Sequence, residues 1–405
     1  MTTSPTTAPT AEFPLPRAAG CPFDPPPRLR ELQDEAPLAR VRLWDGSTPW
    51  LVTRYADQRT LLADPRLSSD VTRPGYPAAA PRRDTGGNSI GFILMDDPEH
   101  ARLRRMVTAP FAIRRVEAMR PAVQRIVDEQ IDAMLAGPQP ADLVEAFALP
   151  VPSLVICELL GVPYADHDFF QENSRSLVRR TTSAQERSAS FEALHEYLDD
   201  LISRKLAQPQ DDLLSELAAR VPRGELSRGD AAGIGVLLLV AGHETTANMI
   251  ALGTLALLDH PDQLAVLRDG DDPKAAARAV EELLRYLNIT HGGRRRVALA
   301  DIEIAGQVIR AGEGVIMAND IGNRDPEAFP DPDRLDLGRD ARRHVAFGFG
   351  VHQCLGQPLA RLELQVVYGT LYRRVPTLRV AADRDSLRFK HDGVIYGVYE
   401  LPVSW

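Results

Sequence analysis

Apolar residues recur at helical spacing through most of this chain and alternate only in short stretches. Residues 99–135 carry a helical period. Several more helices are predicted over 141–220, broken at Pro150-Val151-Pro152, Gly161-Val162-Pro163 and Gln208-Pro209. Ser227 opens a long helix that runs to about Asp259, just before His260-Pro261, with Asp230 completing a capping box. Asp272-Pro273 starts the next helix, Asp as N-cap and Pro at the first helical position. Short alternating strands follow at 302–304, 307–309 and 315–317. Residues 41–44 and 49–52 flank Asp45-Gly46 and read as a β-hairpin. Residues 70–93 hold many Pro and Gly and no strong period, which predicts a long loop of the kind that often carries function. The fold class is therefore mainly α with a minor β component, and no internal repeat is visible.

The chain has 405 residues, yet no Ser/Gly linker or charge block divides it after residue 30. A Pro-rich N-terminal segment, 1–27, and a single large domain, 28–405, are expected. Apolar content of 44% allows a sizeable core. A net charge of −9 argues against a nucleic-acid partner. Cys21, Cys157 and Cys354 stand at unrelated spacings, so no disulfide framework is expected and a reducing cytoplasm fits. Residues 1–27 have neither the basic nor the apolar region of a signal peptide. The longest uncharged apolar run, 231–242, is too short to span a bilayer, so no membrane anchor is expected.

The sharpest chemical signal is Phe347-Gly348-Phe349-Gly350-Val351-His352-Gln353-Cys354-Leu355-Gly356. It sets one cysteine in a loop too glycine-rich for a helix or strand. Gly348 and Gly350 lack a Cβ, so backbone can lie close to a flat ligand. The helix-like run 358–364 places Cys354 just ahead of a helix N-terminus, where backbone N–H groups and the dipole stabilise a thiolate. Such a thiolate suits an axial haem ligand. Competing readings are weaker. A structural cysteine would sit in an apolar run, as Cys157 does. A zinc site needs about four ligands, and His344, His352 and Cys354 lack a fourth nearby. A dinucleotide loop needs GxGxxG, and Gln353 stands where the third glycine belongs.

A second signal lies within the long helix, at Ala241-Gly242-His243-Glu244-Thr245-Thr246. A glycine, an acid and two β-branched threonines are poor mid-helix choices, as expected at functional sites. Gly242 would let a ligand approach the helix. Thr245 can bond back to the Ala241 carbonyl, and a hydroxyl beside a carboxylate can relay protons. The bland alternative is a kink with a solvated glutamate. His243 faces another direction and reads as packing.

The cysteine stretch resembles the haem-binding signature of the cytochrome P450 family, FGxGxHxCxG, matched at every fixed position. Other family marks recur in order from about residue 20 to the C-terminus. The resemblance implies the P450 fold, haem b with Cys354 as the iron ligand, and a monooxygenase. Among relatives it is most similar to actinomycete enzymes that hydroxylate or epoxidise polyketides, macrolides and other natural products. Glu244 and Thr245 match the family's acid–alcohol pair, which supports cleavage of bound dioxygen. His100 and Arg104 match HxxxR, and Arg296 matches the strand arginine. With His352 these would bind the haem propionates, while Phe347, Gly348, Gly356 and Ala241 would contact the ring. Glu282 and Arg285 match ExxR, with Arg334 as the second arginine of a structural trio.

The family lines its substrate pocket from separate segments. Here these are Arg73, Ile90 and Phe92 in the long loop, Leu238 and Ala241 on the long helix, Ile289, Thr290, His291 and Gly292 after ExxR, and Val394 and Ile395 near the C-terminus. The bland reading of each apolar member is core. Arg73 and His291 would be two polar handles for a lipophilic but oxygenated small-molecule substrate.

No segment reads as a flavin or iron–sulfur domain. The resemblance therefore implies electrons from NAD(P)H through a ferredoxin reductase and a ferredoxin. Arg102, Arg105, Arg114, Arg115, Arg342, Arg343 and Arg361 are expected to form a basic patch that steers an acidic ferredoxin. A monomer is expected. A peroxide-driven enzyme of the same fold and a non-catalytic haem-thiolate ligand-binding protein are the alternatives, and the Glu244–Thr245 pair speaks against both.

Overall fold

The computed structural model describes residues 10–18, 20–80, 91–179, 181–270 and 272–405. Its organising element is the helix Arg228–Asp259. The Ser227 hydroxyl accepts from the Asp230 N–H and donates to Asp230 Oδ2, which starts the helix. Pro261 ends it at His260. The helix is apolar nearly all round, which suits only a buried position. It packs against Ala184–Ala207, Pro150–Leu160 and Gln357–Arg374. Among the described residues it is the one helix long and apolar enough to cross a membrane, but 78% of its most apolar window is buried inside the protein. It is a core helix. Gly253 lets Tyr368 lie against it, and the Tyr368 hydroxyl donates to the Met249 carbonyl at 2.5 Å.

The main sheet has six strands in the order Ala11–Glu12, Leu38–Arg42, Trp50–Val52, Gly314–Met317, Arg294–Ala298, Leu67–Ser68. It flanks the helical part and carries Arg294–Ala298 near its edge. The predicted hairpin is present, with Leu38 opposite Val52. Its turn is longer than a two-residue Asp-Gly turn, because Leu43 and Ser47 still pair and Gly46 takes φ +80°. The strands Ile302–Ile304 and Gln307–Ile309 pair as a separate hairpin.

Three details differ from the sequence reading. Residues 11–12 form an edge strand on Val41–Arg42, and Phe13, Leu15 and Phe23 are buried. The segment before residue 28 is thus partly built into the domain. The helix expected at Asp272 begins at Ala275. Asp272 instead accepts from the Lys274 N–H at 2.8 Å and opens the turn that leads into it. Residues 99–135 form three helices, Glu99–Thr108, Ile113–Ala118 and Arg120–Ala136, interrupted around Pro110.

Candidate active site

The cysteine loop is folded on itself. The Cys354 N–H donates to the Phe347 carbonyl at 2.9 Å, and Gln353 N–H to Gly350. Gly348 and Gly350 take φ +72° and +75°, a region that favours glycine. A Cβ on Gly350 would collide with the Leu62 carbonyl, so Gly350 serves loop packing on the helix Tyr55–Ala63 rather than a ligand. Gly348 instead faces the Arg294 side chain. The helix Gln357–Arg374 starts just beyond Cys354, with Gly356 as N-cap. Burial pushes the Cys354 thiol up; Arg294, the Gly356 N–H, Arg104 and Arg361 pull it back toward the thiolate.

Cations converge beside this loop. His100 and Arg104 share one face of Glu99–Thr108. His100 Nδ1 lies 3.0 Å from Asp97 Oδ1, which fixes the ring. Its Nε2 is buried without a partner among the described residues. The His100 and His352 rings lie 4.0 Å apart. Arg104 donates to the Gln353 carbonyl at 2.6 Å and so ties the helix to the loop. Burial, then the charges of Arg296 and His100, push His352 down to about 3. Burial likewise lowers Arg296, against Tyr76 and Asp96.

Arg294 was missed by sequence reasoning. It stands two residues before Arg296, hence on the same strand face, and that spacing was the available signal. Arg295 turns away to the Pro77 carbonyl. A thiol at a helix N-terminus, glycine backbone, and inward cations with the orphaned Nε2 of His100 and Nε of Arg294 fit a flat, carboxylate-bearing ligand whose metal takes a thiolate.

On the central helix, Thr245 Oγ1 donates to the Ala241 carbonyl at 2.6 Å without interrupting the helix. Ala241 is exposed in a helix otherwise mostly buried. Gly242 accommodates Ile156, because a Cβ there would come within 2.9 Å of it; it is a packing glycine, not a ligand approach. Glu244 is 2% exposed, so the solvated-kink reading fails. Its Oε1 has no partner among the described residues, and its Oε2 lies 3.9 Å from Lys390 Nζ. A cleft of about 530 Å³ reaches Glu244 past Arg175, Arg179, Lys390 and Asp392. His243 is buried, and desolvation lowers its pKa; packing is its role.

Glu282 and Arg285 are fully buried and bonded twice, Nε to Oε2 at 2.7 Å and Nη2 to Oε1 at 2.8 Å. The second arginine is Arg339, whose Nε lies 3.2 Å from Glu282 Oε1. Arg334, expected in that place, is 68% exposed and offers only its carbonyl. The chain from 330 to 339 curls so that Asp336 N–H and Arg339, not the Arg334 side chain, reach Glu282. The neighbouring Glu281 holds Arg361 at 2.6 Å and His344 at 3.2 Å, and Arg361 lies over the Phe347 ring. Sequence reasoning missed this clamp on the cysteine loop.

The expected substrate residues fall into groups. Thr290 bridges Ile395, His291 N–H donates to the Val394 carbonyl, and Tyr396 N–H to Ile289. Residues 289–291 and 394–396 thus form one ladder, followed by Gly292 at φ +91°. Ile395 also lines the cleft that reaches Glu244. Phe92 and Leu238 are 2% and 7% exposed and belong to the core, Phe92 beside His100. Arg73 lies 3.7 Å from Asp70 and 3.5 Å from Asp96, so its charge is met within its own region. Ile90 lies outside the described residues. The basic patch is weaker than expected, because Arg102, Arg115, Arg342 and Arg361 each pair with a carboxylate.

Fold and loop together have the features expected of a haem-thiolate protein. A family model described as Cytochrome P450 matches residues 275–377. The chain is 58% identical over 397 residues to Cytochrome P450 GfsF of Streptomyces halstedii, covering 97% of this chain and 96% of that protein. The crystal structure of GfsF matches with a TM-score of 0.92 over 98% of this chain and 100% of that one. A Streptomyces fradiae protein named 20-oxo-5-O-mycaminosyltylactone 23-monooxygenase is 44% identical, over 96% of this chain and 92% of that protein. The mycinamicin VIII C21 methyl hydroxylase MycCI of Micromonospora griseorubida, solved with mycinamicin VIII, matches at TM-score 0.92 and 43% identity, over 98% of this chain and 100% of that one. The chain belongs to the cytochrome P450 family. It is an oxidoreductase of the monooxygenase class, and the family implies a haem held by a cysteine thiolate.

Proposed function

We propose that this enzyme inserts one oxygen atom into a C–H or C=C bond of a macrolide- or polyketide-like secondary metabolite, in the cytoplasm and as a monomer. Electrons come from NAD(P)H through a ferredoxin reductase and a ferredoxin. The observation that carries the oxygenase reading is Glu244, buried in the lining of a cleft, with a carboxylate oxygen that has no partner among the described residues, and adjacent to Thr245. The names of the 23-monooxygenase and of MycCI with its ligand support the substrate class.

Cys354 would ligate the iron, and His100, Arg104, Arg296 and His352 would hold the haem carboxylates. Phe347, Gly348, Gly356 and Ala241 would contact the ring, Gly348 through its backbone beside Arg294. When bound, haem supplies the activation of dioxygen and the oxidation of substrate, and its thiolate favours O–O cleavage. Glu244 takes up a proton from the cleft. No hydrogen bond joins Glu244 to Thr245 among the described residues, so a bridging water completes the passage to the Thr245 hydroxyl. Thr245 Oγ1 then holds that proton on the stretch of helix where Ala241 is exposed. The ladder of Ile289, Thr290 and His291 with Val394 and Ile395 orients the substrate.

The test is titration of the ferric protein with macrolides, other polyketides, terpenoids and steroids, followed by turnover with a ferredoxin system. A blue Soret shift and an oxygenated product from a macrolide or polyketide are expected. Absence of both across that class, with a response to another, overturns the substrate assignment.

A further inference from the structure

We propose that Arg294 is an additional donor to a haem carboxylate, paired along one strand face with Arg296. The inference rests on the haem-thiolate reading.

A buried guanidinium needs an anion or a full set of acceptors, because desolvating it otherwise costs several kcal/mol. Arg294 has neither. Burial pulls it down to about 10. Its one hydrogen bond among the described residues runs from Nη2 to the Ala346 carbonyl at 2.9 Å. Its Nε is buried without a partner. No carboxylate among the described residues pairs with it; the charges that act on it are the Cys354 sulfur and the like-charged Arg296. Arg294 is half-buried as a whole, and its buried Nε is left for an anion that arrives with a ligand.

Geometry says where. The guanidinium lies against Gly348, with Nε 3.0 Å from the place a Cβ would take, so no side chain separates it from the cysteine loop. Arg294 and Arg296 are same-face neighbours in one strand, roughly 7 Å apart along it. That spacing suits two carboxylates leaving one edge of a flat ring. A guanidinium meets a carboxylate with two parallel N–H groups, which an orphaned Nε allows.

The experiment uses the haem-loaded protein with R294L and R294K. It reads haem transfer to excess apomyoglobin, the propionate bending bands in resonance Raman spectra, and the iron midpoint potential. R294L should lose haem about tenfold faster, the scale of one charge-assisted hydrogen bond. It should shift the propionate bands and lower the potential, because a cation near the haem favours the more negative ferrous state. R294K should recover the potential more fully than the bands. Unchanged bands and unchanged haem loss overturn the proposal. A shifted iron–sulfur stretch beside those unchanged bands would assign Arg294 to the thiolate, and altered substrate affinity alone would assign it to the substrate. Should R294L fail to load haem, R294K decides by its bands alone. Absence of a thiolate-type ferrous–carbonyl Soret band in the wild type would instead overturn the haem-thiolate reading itself.

Discussion

Thr245 holds its hydroxyl proton on the Ala241 carbonyl, whereas one Glu244 oxygen has no partner among the described residues. These are different tasks for adjacent residues, and they predict different failures. In T245A, most electrons should pass to peroxide rather than product while haem content stays at the wild-type level. Product and peroxide counted per NAD(P)H consumed check this, and unchanged coupling removes Thr245 from proton delivery. At the buried trio, R285A or R339A strips a partner from a fully buried carboxylate and should cost about 3–5 kcal/mol, with loss of haem. R334A should change stability by no more than about 0.5 kcal/mol, since that side chain is exposed. Denaturant midpoints and haem occupancy separate the two; a large effect in R334A would reinstate it. Glu282 and Arg285 were readable from sequence because both lie on one turn of one helix. The second arginine was not, because the path of the 330–339 loop, with Asp331 at φ +45°, decides which arginine faces inward.

Elements follow the same division. The long helix, the glycine-rich loop and the helix after Cys354 are set by local signals: a serine cap, a Pro stop, apolar periodicity. The clamp of Glu281 on Arg361 and His344 joins segments far apart in the chain, so no local pattern announces it. Burial pushes Glu281 up, but the close His344 ring and the hydrogen-bonded Arg361 prevail and hold it at about 2, against 4.5 ordinarily. The sign follows. Its folded pKa lies below the unfolded one, so its contribution is complete above about 4.5 and is lost as pH falls toward about 2. E281Q should therefore be about 2 kcal/mol less stable than wild type at pH 7. That gap should close on acidification through this window. Denaturation at several pH values measures it; a gap independent of pH would mean that the carboxylate charge is not what holds the loop. The same logic explains the two glycines misread as ligand approaches. Gly242 and Gly350 are required by Ile156 and by the Leu62 carbonyl, neighbours that only the fold supplies.

At the scale of the whole molecule, a chain of net charge −9 could attract the acidic ferredoxin proposed above only through local charge. Counting arginines in the sequence overstates that charge, because the sequence cannot show which arginines are paired. Arg102, Arg115, Arg342 and Arg361 spend theirs on carboxylates, while Arg105 and Arg114 have no carboxylate partner among the described residues. Beside Arg114, Ile113 is 73% exposed, and Val351 in the cysteine loop is 59% exposed, so apolar surface is present as well. Screening acts on charges separated by more than about 10 Å at 0.1 M salt and leaves apolar contact untouched. The rate of reduction by a ferredoxin should therefore fall with ionic strength, but shallowly. The double variant R105A/R114A should slow reduction several-fold at low salt and flatten the salt dependence further. R342A removes a charge already met by Asp340 and should do neither. Stopped-flow reduction under carbon monoxide at graded salt measures all three proteins. An R342A effect equal to that of the double variant would show that paired arginines steer as well as free ones, and a wild-type rate insensitive to salt would leave apolar contact as the basis of docking.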